Sequence, residues 1–226
     1  MLIGYGDGNF TVKALRNTCD ELDTRSIAVA DVNGDSIPDI VIGNAGQENQ
    51  VLINEGLGNF AQPESLPGGS KVTRSIVAAD VNNDSFVHII VGNSDKANQL
   101  LIGDGVGNFT LYELDGGDRD TRSVAVADVN HDGHQDVILG NSFGELNQLL
   151  IGNSTGNFTV ETLPGNDAET NSIAVADVNG DSYRDIILGN DGENELLIND
   201  GNGTFVVEPL PGSSYRTTSI AVFPRG

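Results

Sequence analysis

The chain has 226 residues, with 33 acidic side chains against 11 basic ones and a formal charge of −22. That balance argues against nucleic acid or an anionic membrane surface as partner, because both would be repelled. Cys19 is the only cysteine, so no disulfide forms within the chain, and no run approaches the length of a transmembrane helix.

The first element is Leu2-Ile-Gly4, followed by a glycine turn and Phe10. This stretch aligns with residues 101–109, so the chain begins at the third strand of a repeated unit, with no charged and apolar signal region ahead of it. The first full unit starts near Arg25. Ile27 and Val29 alternate with Ala28 and Ala30, a period-2 pattern that predicts a crowded inner strand.

An acidic loop over residues 31–39 follows. Ile40-Val-Ile42 and Val51-Leu-Ile53 are continuous apolar runs, as expected of central strands covered on both faces. Residues 54–59 supply a glycine-rich hairpin turn, and the more polar segment 60–66, ending in Pro67-Gly68, predicts an outer edge strand.

The unit then repeats. Its serine returns at Ser26, Ser75, Ser123, Ser172 and Ser219, and its turn phenylalanine at Phe10, Phe60, Phe109, Phe158 and Phe205. No stretch shows a helical stripe. Four strands per unit of 48 or 49 residues is the arithmetic of a β-propeller blade.

The expected fold is therefore all-β, one β-propeller domain over 1–226 built of four-stranded antiparallel blades. Repeats lie at about 25–73, 74–121, 122–170 and 171–217. A composite fifth blade combines 1–24 with 218–226, giving 19 strands in all. Pro224-Arg-Gly226 stands where a fifth acidic loop would begin. A thin closing blade, a longer array and completion by a neighbouring protomer all fit this count.

The acidic loop recurs at Asp31, Asp80, Asp128 and Asp177 and holds eleven of the 33 acidic residues. Oxygen-bearing side chains fall at loop positions 1, 3, 5 and 9, a spacing that lets one tight turn aim several oxygens at a hard cation. Asn/Asp/Gly turn chemistry explains one such loop. It does not explain three full repeats, since clustered carboxylates repel one another without a cation. An EF-hand is excluded by the lack of a glutamate at position 12 and by flanking strands.

Residues 177–185, Ile-Ile-Leu-Gly-Asn190 and Asn199-Asp-Gly-Asn-Gly-Thr-Phe205 resemble the FG-GAP and VCBS-type repeats of integrin alpha-chain propellers. The resemblance spans nearly the whole chain. It implies calcium held between the first two strands of a blade, by Asp31, Asn33, Asp35, Asp39 and the Ile37 carbonyl in the first loop. The third loop would use Asp128, Asn130, Asp132, Asp136 and the His134 carbonyl, and the fourth Asp177, Asn179, Asp181, Asp185 and the Tyr183 carbonyl. The second has Asp80, Asn82 and Asp84 but His88 at position 9, so it is expected to bind weakly or not at all. Position 6 is occupied by Ser36, Ser85, Gly133 and Ser182.

His131 and His134 occupy side-chain positions that the ligand pattern does not use, and read as solvated loop residues. Cys19 reads as a passive thiol in a linker. Sequons at Asn9, Asn83, Asn108, Asn153, Asn157 and Asn202 mark turns open to glycosylation in a secreted setting.

No Ser/His/Asp or Cys/His set supports catalysis, so the chain is expected not to be an enzyme. The leading expectation is a calcium-binding extracellular or cell-surface propeller serving adhesion, protein–protein interaction or structural assembly, including self-assembly through the incomplete blade. A lectin-like module is the alternative, with Tyr215 and Phe143 as conspicuous loop aromatics, and a scaffold domain of a larger secreted enzyme is a third. The resemblance implies that the loops at 68–73, 116–121, 165–170 and 212–217 line one face opposite the acidic loops, and ligands, protein or glycan, are expected there.

Overall fold

The computed structural model describes residues 2–4, 10–12, 22–142, 144–211 and 215–222. Cys19, Phe143, the sequon asparagine Asn9 and the segment 224–226 lie outside the described residues. Among the described residues there are strands and no helix. A short antiparallel hairpin pairs β1 (Leu2–Gly4) with β2 (Phe10–Val12), as the alignment with 101–109 predicts.

Four four-stranded antiparallel sheets follow. The first holds β3 (Thr24–Ala30), β4 (Asp39–Asn44), β5 (Gln50–Leu52) and β8 (Glu64–Ser65), with a small hairpin of β6 (Asn54–Gly56) and β7 (Asn59–Phe60) inserted before β8. The second holds β9 (Thr73–Ala79), β10 (His88–Asn93), β11 (Lys96–Gly103) and β12 (Phe109–Arg119). β13 (Thr121–Ala127), β14 (Asp136–Asn141), β15 (Gln148–Gly152) and β16 (Phe158–Thr162) form the third. The fourth has β17 (Thr170–Ala176), β18 (Asp185–Asn190), β19 (Glu195–Asn199) and β20 (Phe205–Pro209).

The core lies between the blades. Directly paired strand residues share a sheet face, so Val41 and Val51 of the first blade meet Ile76, Ile89, Val91 and Leu101 of the second. The opposite face of the second blade, through Ile90 and Leu100, meets Val124, Val137 and Leu150, and the scheme repeats between the third and fourth. The apolar runs of β10, β14 and β18 are buried on both sides, and that of β4 is packed on the second blade through Val41.

Each junction also carries the same polar bond. Ile76 N–H donates to Ser26 Oγ, Val124 N–H to Ser75 Oγ and Ile173 N–H to Ser123 Oγ, at 3.0–3.1 Å. The segment 215–222 forms no ladder, in contrast to the trailing strand expected there. It nevertheless continues the series, with Ile220 N–H donating to Ser172 Oγ at 3.1 Å. The segment thus occupies the inner-strand position of a following blade. Among the described residues it does not pair with the β1–β2 hairpin.

Two other expectations need correction. The outer strand foreseen over 60–66 is split in the first blade into β7 and β8, with bulged pairing at the turn, whereas β12, β16 and β20 are continuous. Ile27 and Val29, foreseen in a crowded inner strand, are 58% and 64% exposed. They lie on the face of the first blade that no described blade covers, while Ile76 and Val124, the counterparts of Ile27, are buried against the preceding blade.

Candidate functional site

Each acidic loop joins the inner strand of a blade to its second strand, so all four sit at one end of the barrel-like stack of sheets. The first and fourth loops are folded around the position 1 carboxylate. Asp31 accepts the N–H groups of Gly34, Asp35 and Ser36, and Asp177 those of Gly180, Asp181 and Ser182. Burial works against ionisation of both groups, yet these backbone donors outweigh it and hold each carboxyl below the ordinary range.

Position 5 accepts the position 7 N–H in every copy: Asp35 from Ile37, Asp84 from Phe86, Asp132 from His134 and Asp181 from Tyr183, all at 2.8 Å. Asn33, Asn82, Asn130 and Asn179 each donate their amide to the position 5 carboxylate. Position 6 is left-handed in all four copies, at φ 67° for Ser36, 71° for Ser85, 86° for Gly133 and 78° for Ser182. Serine therefore adopts in three loops a backbone conformation that costs an L residue about 1–2 kcal/mol.

Position 9 is fully buried. Asp39 accepts Val32 N–H and Asn54 N–H on its two oxygens, Asp136 those of Val129 and Gly152, and Asp185 those of Val178 and Asn199. One carboxylate thus ties the loop entrance to the start of the third-strand turn. Burial, with Asp132 and Asp128 nearby, pushes the Asp136 carboxyl up to about 6 against the pull of its two backbone donors. Asp39 is raised for the same first reason.

The third loop holds the observation that bears most directly on a cation: Asp128 Oδ1 is buried and has no hydrogen-bond partner among the described residues. An unpaired carboxylate oxygen beside two further carboxylates is a donor set that a hard cation satisfies. The third loop fits calcium in this sense, whereas in the first and fourth loops both oxygens of Asp31 and of Asp177 accept backbone N–H groups.

The second loop does not fit. His88, 0% exposed, accepts Gly103 N–H on Nδ1 at 3.1 Å, where the aspartates use a carboxylate oxygen. Nε2 therefore carries the proton. It stands 2.8 Å from Asn82 Oδ1, 3.6 Å from Asp84 Oδ1 and 4.0 Å from Asp80 Oδ1. Among the described residues this is the one place where three ligand-type atoms of His, Cys, Asp or Glu come within 4.8 Å of one another. An imidazole N–H occupies the centre of the oxygen cluster, and the lone pair a metal would need is turned toward Gly103.

The loops also touch one another. Asn83 Nδ2 donates to Gly133 O at 2.9 Å and lies 3.1 Å from His134 Nδ1. His131 Nε2 lies 3.2 Å from Ser182 O, and its ring meets Tyr183 edge-on with centroids 5.2 Å apart. The two histidines expected to be merely solvated thus join loop to loop.

A second polar system was not anticipated. Thr73, Thr121 and Thr170 donate their hydroxyls to Asn93, Asn141 and Asn190, whose own backbone N–H groups are capped by Asn98, Asn147 and Asn194. Asn98 and Asn147 then donate to Thr121 and Thr170 of the next blade. The signal available was the Gly-Asn pair closing every second strand. On the outer side, Tyr112, Glu113, Asp115, Thr155, Asn157 and neighbours line a groove of about 360 Å³ between the second and third blades. Tyr112 is 54% exposed there.

The FG-GAP-like repeat profile matches residues 31–91, 86–139, 132–188 and 177–223. The chain belongs to the FG-GAP-like repeat family. No curated protein matches its sequence. Among solved structures, this FG-GAP chain is similar to an Agrocybe aegerita lectin described as specifically recognising non-reducing terminal N-acetylglucosamine. The identity is 22% and the TM-score 0.66, over 92% of this chain and 59% of the lectin. It is also similar to BBS1N, solved in complex with ARL6DN, at 15% identity and a TM-score of 0.59, over 84% of this chain and 59% of that one. The FG-GAP repeats described here thus span about three fifths of the length of each of these β-propeller structures.

Proposed function

We propose that this FG-GAP propeller is a non-enzymatic, calcium-stabilised extracellular module whose rigid blades present a surface to a protein or glycan ligand. The observation that carries the calcium reading is the buried, unpartnered Asp128 Oδ1, in a loop that also carries the carboxylates of Asp132 and Asp136. Calcium would be held by Asp31, Asn33, Asp35 and Asp39 in the first loop, by Asp128, Asn130, Asp132 and Asp136 in the third, and by Asp177, Asn179, Asp181 and Asp185 in the fourth. The Ile37, His134 and Tyr183 carbonyls would complete the three sets. The ion would cancel the repulsion within each loop and fix the turn between two strands. Isothermal titration of chelator-stripped protein is expected to show three calcium ions per chain, with a higher thermal midpoint in calcium than in EGTA. Absence of uptake, or identical midpoints, would overturn the assignment.

A glycan ligand is favoured by one feature, the groove between the second and third blades. There the exposed Tyr112 ring stands beside Glu113, Asp115 and Asn157, an apolar platform flanked by hydrogen-bonding groups. The lectin of similar fold supports the same reading. On a glycan array in calcium buffer, the chain is expected to retain a glycan and Tyr112→Ala to lose it. A blank array would leave a protein ligand as the reading.

A further inference from the structure

At the end of the molecule opposite the acidic loops, the four inner strands and the segment 215–222 converge on the propeller axis. Arg25, Arg74, Arg122, Asn171, Arg216 and Thr218 line one cavity of about 230 Å³ there. The seven-residue inner strands separate this mouth from the acidic loops by roughly 20 Å. Four of the chain's 11 basic residues meet at this point, in a molecule with a charge of −22.

Carboxylates are close by, yet none lines the cavity. Arg25 pairs with Asp23 at 2.5 Å, Arg122 with Asp120 at 3.1 Å and Glu169 at 3.3 Å, and Arg216 with Glu169 at 3.4 Å. These acids orient the guanidinium groups from the side and leave each with unused N–H donors, since a guanidinium carries five. Arg216 also donates to Asn171 Oδ1 at 3.5 Å, which leaves the amide of Asn171 only its donor end.

Three donors remain unsatisfied. Arg74 Nε, Arg122 Nε and Asn171 Nδ2 are buried with no hydrogen-bond partner among the described residues. Arg74 has no ion pair among the described residues. Buried donors without acceptors, next to like charges drawn together on an axis, form an arrangement that an anion relieves. Planar guanidinium groups are matched to carboxylate and phosphate oxygens, which they bond in pairs.

We propose that this axial cavity binds a small multivalent oxyanion, a group of the carboxylate or phosphate type. Arg74 and Arg122 hold its charge, and Asn171 and Thr218 complete the hydrogen bonding. The site is independent of the acidic loops, so it is tested on the intact chain with calcium in excess. Isothermal titration with sulfate, standing for a tetrahedral dianion, and with succinate, standing for a dicarboxylate, is run at ionic strength matched with sodium chloride.

One of the two probes is expected to saturate at one per chain, and the stronger of them names the source chemistry. Arg74→Gln is expected to weaken that binding at least tenfold while leaving the anion-free thermal midpoint unchanged, because Arg74 supports no ion pair. Lys96→Gln, the same change of charge outside the cavity, is expected to leave binding intact. No saturable heat with either probe would overturn the proposal. So would equal weakening by Arg74→Gln and Lys96→Gln, which would mark general charge attraction, or unaltered binding in Arg74→Gln.

Discussion

His88 stands at the loop position where the other three copies carry Asp39, Asp136 and Asp185, and it keeps only half of the aspartate's work. Nδ1 still receives the third-strand amide of Gly103, so the blade holds its shape, while Nε2–H takes the place where a cation would sit. His88→Asp restores the fourth oxygen. Calcium stoichiometry by titration is expected to rise from three to four, and in EGTA the variant is expected to be less stable than the parent by about 1–3 kcal/mol, the cost of adding an unrelieved buried carboxylate. A count that stays at three would show that something other than the imidazole closes this loop.

At this scale the sequence was informative where spacing carries chemistry. Asp and Asn at positions 1, 3 and 5 were legible, because such residues fold turns and bind cations for the same reason, a short oxygen-bearing side chain. The double duty of position 9 was not, since Val32 lies in its own loop while its second backbone partner, Asn54, belongs to a turn beyond the next two strands. The arginines at 25, 74 and 122 recur directly before the serine anchor, a visible period whose meaning depends on the axis that gathers them.

Among the elements, the second strand of each blade explains why its glycine cannot be replaced. A Cβ on Gly140 would lie 2.7 Å from Thr170 Cγ2 and 3.1 Å from Ile173 Cδ1 of the next inner strand. Gly43, Gly92 and Gly189 meet the equivalent threonine and branched residue in the same way. Gly140→Ala is therefore expected to lower stability in chemical denaturation by about 1–3 kcal/mol, the usual cost of overpacking. An unchanged midpoint would mean that the blades separate without loss. Strand type and order followed from apolar runs and glycine turns. The broken outer strand of the first blade did not, since edge strands are held by few contacts and their continuity is decided by the local turn.

Across the whole molecule, the repeat period was enough to predict a propeller, because a fixed unit that cannot bury its own face must stack on copies of itself. How the ends are arranged was not legible from strand counting. Ile220 occupies the next inner-strand place through Ser172, while Ile27 and Val29 of the first blade stay exposed. Burying each of these side chains fully would contribute roughly 1.5–3 kcal/mol, so that face has a substantial unused capacity for packing.

The serine-to-amide bond at each junction reaches 48–50 residues along the chain, one unit and no further. Because every interface is written in the same few letters, a unit duplicated or deleted in the gene meets a neighbour that already matches it. Such a chain can change its number of blades in one genetic step without composing a new core, and its length is free to drift in evolution in a way that a protein with a single shared interior does not permit.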